Sequence, residues 1–418
     1  MGTALVNADA VQENTELHLS VPAVGRESHH WHIADEAPVS RSRRSRGNGS
    51  YESAVPARLR ELDVKVPSSL MADMEEAAGV LSRFDSYAAV RLGAGDHVLG
   101  PMSVVLLRTE ATSSSQIEHL TVGAKSLALE SIHEGGSDNA AIVVGNVRAM
   151  EAALQLGRNM DEEHVLAMHR ALLLAQPGWE EQAGRYRKRL VWVGTDSYSP
   201  RGASHIAPQP ELVPQAMEDL LAFVARDDLP VILQCAIAHA QFETIHPFAD
   251  GNGRCGRALV HAILRNKGLV QATTPPVSAG LLRNTTSYFD ALTAYRAGNA
   301  APIVESFVEA CLFAADSGRL LIDELAEQLD EARDLLQGTR SDSPVWRVLP
   351  HLVAQPVVTT AYLRESCGLS GPQAERAVRR MEAAGVLSAR NGRRRNIVWE
   401  HRGILDVLDA YAERLRRR

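Results

Sequence analysis

The chain has 418 residues, of which 45% are hydrophobic and 23% are charged, and its formal net charge is −7. This composition is typical of a globular protein of two or three domains, and the negative charge gives no general attraction to nucleic acid. No stretch approaches 18 uninterrupted apolar residues, so we expect no membrane span. The four cysteines form no CxxC pair, and the N-terminus lacks the apolar region of a signal peptide. Both features favour a cytoplasmic protein without disulfides or a zinc site.

The N-terminal part of the chain divides into two regions of different texture. Residues 1–56 are weakly patterned and include the basic run RSRRSRGNGS, so we predict a flexible N-terminal tail. The HHWH cluster at 29–32 has no further ligands at metal-binding spacing, and we predict no metal site there. Over 57–145 a helical period appears, with Leu70 and Leu81 on one apolar stripe. We therefore assign 57–145 to an N-terminal helical region.

The middle of the chain is predicted to be mainly α-helical. Helices are predicted over four stretches, 161–175, 210–226, 229–245 and 257–269. The third stretch is apolar all round, which indicates a buried central helix. The segment GRYRKRLVWVG (184–194) alternates like a β-strand and precedes a Gly/Ser/Pro-rich stretch, which predicts a hairpin inserted between helices. We assign 146–320 to one core domain.

The segment HPFADGNGRCGR (246–257) follows the predicted central helix. A glycine-rich turn that enters a helix directs backbone N–H groups and the positive end of the helix dipole at one place, which predicts an anion site. Gly251 and Gly253 allow close backbone approach, and Asn252 tolerates turn dihedrals and adds side-chain donors.

Charged residues of the same segment extend this interpretation. Arg254 and Arg257 are spaced to share one helix face, which suits a ligand with more than one phosphate group. Asp250 would repel a bare phosphate and is explained by Mg²⁺ between the two. His246 is the residue that can take up a proton near neutral pH. Together these residues predict a Mg-nucleotide site with a general base beside it.

The segment resembles the signature of the Fic family (filamentation induced by cAMP), H-x-F-x-[DE]-G-N-G-R-x-x-R, at every fixed position. The matching residues are His246, Phe248, Asp250, Gly251, Asn252, Gly253, Arg254 and Arg257. The resemblance extends from about residue 60 to about residue 320. It implies a mainly α, Fic-type helical core with a small β-hairpin flap.

The resemblance also implies an activity, the transfer of AMP from ATP, with Mg²⁺, to a Ser, Thr or Tyr hydroxyl of a target protein. His246 would deprotonate the acceptor hydroxyl, Asp250 would hold Mg²⁺, and Phe248 would anchor the loop in the core. The remaining motif residues would bind phosphate, namely Gly251, Asn252, Gly253, Arg254 and Arg257. Positioning and electrostatics carry most of the catalysis in chemistry of this kind.

The predicted hairpin is similar to the family's flap, which holds the target segment as an added strand. The flap residues are Leu190, Val191, Trp192 and Val193. A structural hairpin that only covers the core is the alternative. Tyr288 either borders the adenine or packs in the core.

The stretch TEATSSSQIEHL (109–120) resembles the family's inhibitory helix, whose pattern is [ST]-x-x-x-E-[GN]. Ser114 and Glu118 fit this pattern, whereas residue 119 is His in place of Gly or Asn. Its position before the core corresponds to the second class of the family. The resemblance implies that Glu118 pairs with Arg257 and takes the donors meant for the γ phosphate. An ordinary glutamate on a solvated helix face is the alternative.

The C-terminal part is basic in a chain that is acidic overall. We assign 321–343 to a helical linker and 344–418 to a separate domain. Residues 341–418 hold 14 arginines against eight acidic residues. Helices at 360–366 and 371–384, followed by two strands with the turn NGRRR between them, resemble a winged helix-turn-helix. Such a domain binds DNA with its second helix or docks on proteins, and the sequence leaves both open.

Three hypotheses of function follow. The first is an AMP transferase that Glu118 inhibits. The second keeps the site but transfers another nucleotide or removes AMP from a modified protein. The third is a DNA-binding regulator whose Fic core senses nucleotide, against which the intact His246 counts. The expected partners are a target protein with a hydroxyl side chain, the chain itself through auto-modification, DNA, and a second copy in a homodimer, the last from family habit alone.

Overall fold

A computed structural model describes residues 18–93, 99–155, 160–390 and 397–416. The described part is mainly helical, as predicted. Its helices are α1 (Arg41–Gly47), α2 (Ser68–Gly93), α3 (Leu99–Ile117), α4 (Ala124–Ser131), α5 (Asp138–Gln155), α6 (Glu162–Leu173), α7 (Val213–Val224), α8 (Val231–Ile245), α9 (Asn252–Asn266), α10 (Val277–Leu282), α11 (Thr285–Arg296), α12 (Ala301–Leu335), α13 (Val345–Val348), α14 (His351–Ala354), α15 (Thr360–Ser366), α16 (Gly371–Ala383) and α17 (Arg402–Arg416). No helix in these ranges is both long and apolar enough to cross a bilayer.

Three small antiparallel sheets accompany the helices in the described ranges. Their strands are β1 (Gly25–Trp31), β2 (Gly49–Val55), β3 (Trp192–Val193), β4 (His205–Ile206), β5 (Val357–Val358), β6 (Ser388–Ala389) and β7 (Trp399–Glu400). β1 pairs with β2, and β3 pairs with β4. The third sheet has the strand order β5-β7-β6.

The buried centre of the molecule is α8, as its apolar sequence predicted. Fourteen of its 15 residues are buried. It packs against α7, α9, α11 and α12. Pro247 follows immediately, and a proline disfavours helical geometry in the residue before it, so α8 ends at the site. The next helix, α9, begins at Asn252, inside the glycine-rich segment and five residues earlier than predicted.

The region 321–343 is not a separate linker. Residues 321–335 belong to α12, one continuous helix of 35 residues that begins in the core at Ala301. Leu321, Ile322 and Leu329 are buried within the same hydrophobic core as α8 and α9. The charged side chains that suggested a linker occupy the exposed face of this helix, because an amphipathic helix can be polar and still belong to a core.

The predicted flexible tail is ordered from residue 18, and residues 1–17 lie outside the described ranges. β1 and β2 form a hairpin in which Gly25 pairs with Val55 and Trp31 with Gly49. The basic run between them folds into α1. There Arg44 donates to the carbonyl oxygen of Ile33 at 2.9 Å. The expectation failed because Arg44 binds backbone carbonyl groups and Arg43 pairs with Asp196, whereas a solvated tail would leave both in water.

The C-terminal domain follows the predicted pattern closely. α15 and α16 form the two-helix unit, and the predicted inward residues of α16 are buried, namely Ala374, Ala377, Val378 and Met381. Arg376 and Arg379 are exposed, whereas Arg380 donates to Thr339 Oγ1 at 3.0 Å. β6 and β7 are the two predicted strands. The predicted turn at 391–395 lies outside the described residues.

The C-terminal domain rests against α3 and α4. Arg108 of α3 donates to Gln355 Oε1 at 3.0 Å. Gln355 Nε2 donates in turn to the carbonyl oxygen of Ala128 in α4 at 2.7 Å. An ion pair between Lys125 and Glu400 adds a third contact at 2.5 Å. The helix that carries Ser114 therefore touches the core on one side and the C-terminal domain on the other.

Candidate functional site

His246 ends the buried helix α8. Its backbone is left-handed, with φ 49° and ψ 60°, and its N–H donates to Phe242 O at 2.8 Å. Its Nδ1 lies 3.3 Å from the carbonyl oxygen of Glu243 and 3.7 Å from the carboxylate of the same residue. A proton on Nδ1 therefore leaves Nε2 as the basic nitrogen. Burial lowers the pKa of His246 to about 4, so the ring is neutral near pH 7.

Glu243 is the second titratable group behind the loop. Its side chain is 10% exposed, and its Oε1 has no hydrogen-bond partner. Burial raises the pKa of Glu243 to about 7, against the opposing effect of the Arg257 guanidinium. The carboxyl group next to His246 therefore keeps a proton to a higher pH than an exposed glutamate does.

Asn252 holds the loop that follows His246. Its Oδ1 accepts from the N–H of Phe248 at 2.8 Å, and its Nδ2 donates to the carbonyl oxygen of Phe248 at 3.0 Å. The sequence suggested that this side chain adds donors for phosphate. The structure adds that both polar atoms of this buried amide bind the Phe248 backbone within the loop. What Asn252 can offer a ligand is its backbone N–H, at the first position of α9.

The N-terminus of α9 has no side-chain cap. Gly251 occupies the N-cap position with φ 76°, and a Cβ there would lie 2.6 Å from Leu172 Cδ2. A Cβ on Gly253 would lie 2.4 Å from Glu118 Oε1. Both glycines are needed at this place, one for its backbone angles and one for the close approach of a charged group. An uncapped helix N-terminus of this kind is suited to an anion.

The Glu118 carboxylate occupies that place and binds both arginines. Its Oε2 accepts from Arg254 Nε at 3.0 Å, and its Oε1 accepts from Arg257 Nη2 at 2.7 Å. Arg254 also donates to Asp250 Oδ2 at 2.8 Å, and Arg257 donates to Ser114 Oγ at 2.8 Å. The arginine side chains are 3% exposed, and the Glu118 side chain is 31% exposed. The two arginines share a face, as predicted, but Glu118 pairs with both and not with Arg257 alone.

The geometry at the end of α3 explains why the inhibitory pattern usually has Gly or Asn at the position of His119. His119 has φ 64°, which is the left-handed region. Its N–H donates to Gln116 O at 2.9 Å, and the N–H of Leu120 donates to Ser115 O at 3.1 Å. These two bonds define the Schellman ending of a helix, in which Gly or Asn is the usual left-handed residue. His119 adopts the same geometry at a cost of about 1–2 kcal/mol.

The flap is a short hairpin. β3 and β4 pair antiparallel, and Ala207 N donates to Val191 O at 3.1 Å. In the described part of the chain β4 is the one strand paired with β3, so the other edge of β3 pairs with no strand. Leu190, Val191 and Trp192 are half-buried, and Val193 is 43% exposed.

His169 of α6 supports the loop and was not predicted. Its ring stacks on Phe248, with the ring centroids 3.7 Å apart. Its Nδ1 accepts from Gly184 N at 3.0 Å, and its Nε2 lies 3.2 Å from the carbonyl oxygen of Asp250. Burial lowers the pKa of His169 to about 4, which keeps Nδ1 an acceptor. Its sequence signal was a lone histidine on the apolar face of the predicted helix 161–175.

His205 of β4 also lies near the site. Its Nε2 is 2.9 Å from Thr244 O, and its ring centroid is 6.4 Å from that of His246. Burial lowers the pKa of His205 to about 2. It comes from the Gly/Ser/Pro-rich stretch after the flap strand, whose pattern gave no signal.

Tyr288 lies in the core behind the arginines. Its side chain is 2% exposed, and its hydroxyl group is 2.7 Å from His239 Nε2. The core role that the sequence left open accounts for these contacts. Contact with an adenine ring stays a prediction.

Metal binding was predicted at Asp250. Among the residues that the structure describes, no group of three or more His, Cys, Asp or Glu could hold a metal ion. The Asp250 side chain is 39% exposed, and Arg254 binds one of its oxygens. A single, partly exposed carboxylate fits Mg²⁺ that arrives on a nucleotide, since Mg²⁺ takes one or two carboxylates together with phosphate oxygens and water.

Comparison with known proteins agrees with this site. Residues 159–264 match the Fic/DOC family. The chain is 29% identical over 195 residues to a probable protein adenylyltransferase of Aquifex aeolicus (strain VF5), covering 45% of this chain and 54% of that protein. It is 30% identical over 163 residues to the protein adenylyltransferase Fic of Nematostella vectensis, covering 38% and 34%. The chain thus spans about half or less of the length of these relatives.

The fold also has a counterpart among solved structures. A Fic family protein from Desulfovibrio desulfuricans G20 superimposes with a TM-score of 0.51 and 20% sequence identity. The superposition covers 81% of this chain and 97% of that one. At this identity the likeness concerns the fold alone.

Proposed function

Because residues 159–264 match the Fic/DOC family, we propose that this chain transfers AMP from ATP to a Ser, Thr or Tyr hydroxyl of a target protein and that Glu118 inhibits this transfer. One observation carries the proposal. The Glu118 carboxylate pairs with Arg254 and Arg257 at the N-terminus of α9. A carboxylate there mimics the negative charge of a phosphate group. The relatives are named protein adenylyltransferases, which supports ATP as the molecule that supplies this phosphate.

The chemistry follows from His246 and the arginines. The acceptor hydroxyl loses its proton to Nε2 of His246, and its oxygen forms a bond to the α phosphorus of ATP. The bond from that phosphorus to the bridging oxygen of the β phosphate breaks, and pyrophosphate leaves. Arg254 and Arg257 stabilise the charge on the β and γ phosphates, and the backbone N–H groups from Asn252 onward bind the same anion. Mg²⁺ held by Asp250 would add positive charge beside these phosphates.

Glu118 inhibits because it competes for the donors that the phosphates need. Each of its hydrogen bonds joins two charged groups, and such bonds contribute about 1.5–3 kcal/mol. While Glu118 is bound, Arg254 and Arg257 hold a carboxylate, and ATP lacks its productive pose. The target would pair with the free edge of β3, which is open to an extended peptide backbone.

The second hypothesis uses the same residues. Transfer of another nucleotide, or removal of AMP from a modified protein, needs the same general base and the same anion site. Labelling with other nucleotides separates this hypothesis from the first.

The C-terminal domain supports a second, separate role in recognition. Arg376 and Arg379 are exposed on α16, the second helix of its two-helix unit. A duplex DNA partner would bind with a steep dependence on salt concentration, because lysine and arginine contacts to phosphate release counterions. Titration of duplex DNA at 50 and 200 mM salt tests this, and the absence of DNA binding at 50 mM salt favours a protein partner.

The experiment that tests the proposed function uses α-labelled ATP and three purified proteins: the wild type, Glu118→Gly and Glu118→Gly/His246→Ala. We expect labelling of the enzyme itself or of an added lysate to rise on the order of 10²-fold in Glu118→Gly. The additional His246→Ala change should lower labelling by roughly 10²–10⁴-fold. Labelled CTP, GTP and UTP test the nucleotide. If Glu118→Gly labels no protein with any of the four nucleotides, this result contradicts the proposal and favours the regulatory hypothesis.

A further inference from the structure

Arg187 lies outside the glycine-rich segment, yet its side chain is built into the site. The residue is 3% exposed, and its guanidinium donates to four backbone carbonyl oxygens. The acceptors are His246 O at 2.8 Å, Ile245 O at 3.3 Å, Arg189 O at 3.0 Å and Pro208 O at 2.7 Å. Its backbone N–H also donates to Pro247 O at 3.0 Å. One side chain thus satisfies carbonyl groups in three separate segments.

These four acceptors belong to two functional parts of the molecule. Ile245 and His246 form the end of α8 and the start of the catalytic loop. Arg189 precedes β3, and Pro208 follows β4, so they mark the two ends of the flap. Arg187 therefore joins both ends of the flap to the backbone of the candidate general base.

The backbone of His246 needs such a restraint. A residue other than glycine in the left-handed region costs of order 1–3 kcal/mol and persists where its surroundings determine it. The N–H of His246 is held by Phe242 O, and its carbonyl oxygen is held by Arg187 Nε. If the bond from Arg187 Nε is removed, the peptide group between His246 and Pro247 loses a restraint on its orientation. We expect the His246 imidazole to move with this peptide group.

We propose that Arg187 is a positioning residue that fixes the His246 imidazole relative to the target-docking flap. The part concerning the flap rests on the proposed function. The planar fork of arginine makes these bonds simultaneously, which the single ammonium group of lysine cannot reproduce. The sequence GRYRKR offers a matched control, because Arg185 lies two residues earlier on the same segment and is exposed.

The positive charge of Arg187 also affects His246, because it lowers the pKa of the imidazole. The charged and titratable groups that face His246 are Glu243 of its own helix, Arg187, Arg296 of α11, Glu118 and His205. Burial lowers the pKa of His246 most, and the two arginine cations lower it further. Burial lowers the pKa of Arg187 itself to about 10, so it stays charged at pH 7.

The test compares Arg187→Gln, Arg187→Lys and Arg185→Gln, each added to full-length Glu118→Gly. We expect Arg187→Gln to lower kcat for AMP transfer by about 10²-fold with KM for ATP unchanged, because a misplacement of 1 Å has an effect of this size. Arg187→Lys, which keeps the charge, should recover about tenfold of this loss. Arg185→Gln should behave like its parent. A KM increase with unchanged kcat, or an equal loss in Arg185→Gln, overturns the proposal.

A second readout does not depend on activity. The ¹⁵N chemical shifts of the His246 ring report its tautomer and its titration. We expect Arg187→Gln to change the shifts and raise the pKa of His246, and Arg187→Lys to change the shifts with a smaller change in pKa. If no variant transfers AMP but the His246 signals move as expected, the proposed function fails and the positioning role stands. Unchanged His246 signals in a folded Arg187→Gln overturn that role, and Arg187→Lys decides it if Arg187→Gln does not fold.

Discussion

The Glu118 carboxylate lies directly over Gly253, so that a Cβ at position 253 would fall 2.4 Å from Glu118 Oε1. The same Cβ would fall 2.8 Å from Arg257 Nη1. The proposed inhibitory group, the Glu118 carboxylate, and the proposed phosphate ligand therefore need the same volume. For this reason Gly253→Ala and Glu118→Gly should have different effects.

We predict that Gly253→Ala does not activate the enzyme as Glu118→Gly does. The added methyl group displaces the Glu118 carboxylate, but it remains in the volume that the phosphates need. Labelling by Gly253→Ala should stay on the order of 10²-fold below that of Glu118→Gly. The double variant Glu118→Gly/Gly253→Ala should also be inactive and should bind ATP weakly in calorimetry. Strong labelling by Gly253→Ala would place the phosphates elsewhere.

His119→Gly is predicted to strengthen inhibition. Glycine adopts the left-handed geometry of residue 119 without the penalty of a Cβ but loses more chain entropy on folding, so the end of α3 gains about 0.5–1 kcal/mol. Residual labelling by the wild type should fall about two- to fivefold, and the free energy of unfolding should rise. His133 offers the control, because it is also left-handed, with φ 59°, beyond the end of α4. His133→Gly should stabilise the fold similarly and leave labelling unchanged, and an equal fall in both variants contradicts the prediction.

Loss of the Gln355 amide is predicted to weaken inhibition from a distance. Gln355 is 1% exposed and links Arg108 of α3 to the carbonyl oxygens of Ala128 and Val357. Gln355→Ala leaves these buried polar groups without that partner, which lowers the free energy of unfolding by about 1–3 kcal/mol. The change also weakens the packing that supports α3. Labelling should exceed that of the wild type. Glu375→Gln, on the exposed face of α16, is the control, and destabilised Gln355→Ala with wild-type labelling would make the contact purely structural.

Acid is predicted to destabilise the fold below about pH 6.5. Burial lowers the pKa values of five histidines, those of His169 and His246 to about 4, of His239 to about 3 and of His205 to about 2, and that of His401 in the same direction. As pH falls from 6.5 towards 4, the unfolded chain takes up these protons and the folded chain does not, so the free energy of unfolding falls. Each such proton contributes about 1.4 kcal/mol per pH unit.

Glu243 opposes this trend by one proton. Its raised pKa, about 7, means that the folded chain binds a proton between pH 4.5 and 7 that the unfolded chain does not. In urea unfolding at pH 7, 6 and 5, the four histidines with the largest shifts, less Glu243, should therefore give a slope of about three protons. His205→Gln should reduce the slope by about one. A pH-independent free energy of unfolding across this range would contradict the prediction.

Much of the site could be predicted because its chemistry is contiguous in the sequence. His246, Gly251, Gly253, Arg254 and Arg257 lie within twelve residues, and local geometry alone brings them to the end of one helix and the start of the next. The helices of the core and of the C-terminal domain were predictable for a similar reason, since their apolar periods are local.

The residues that sequence reasoning missed act through tertiary contacts. His169 binds the catalytic loop from another helix, and Arg187 joins segments that are distant in sequence. Neither has a local pattern that separates it from an ordinary core or surface residue. The N-terminal hairpin was missed because its strands pair across a basic run, and because Trp31 packs against Trp192, which is distant in sequence. The role of Asn252 was misjudged since backbone acceptors within its own loop compete for its amide.

The position of α3 between the core and the C-terminal domain has a reciprocal consequence. If a ligand of the C-terminal domain shifts α3 and thereby changes the affinity for ATP, ATP must change the affinity for that ligand by the same factor. Nucleotide level would then set occupancy at the C-terminal domain, even in a variant whose His246 cannot support transfer. α3 would therefore couple the two sites in both directions, from Arg254 and Arg257 to the C-terminal domain and from Arg108 back to the ATP site.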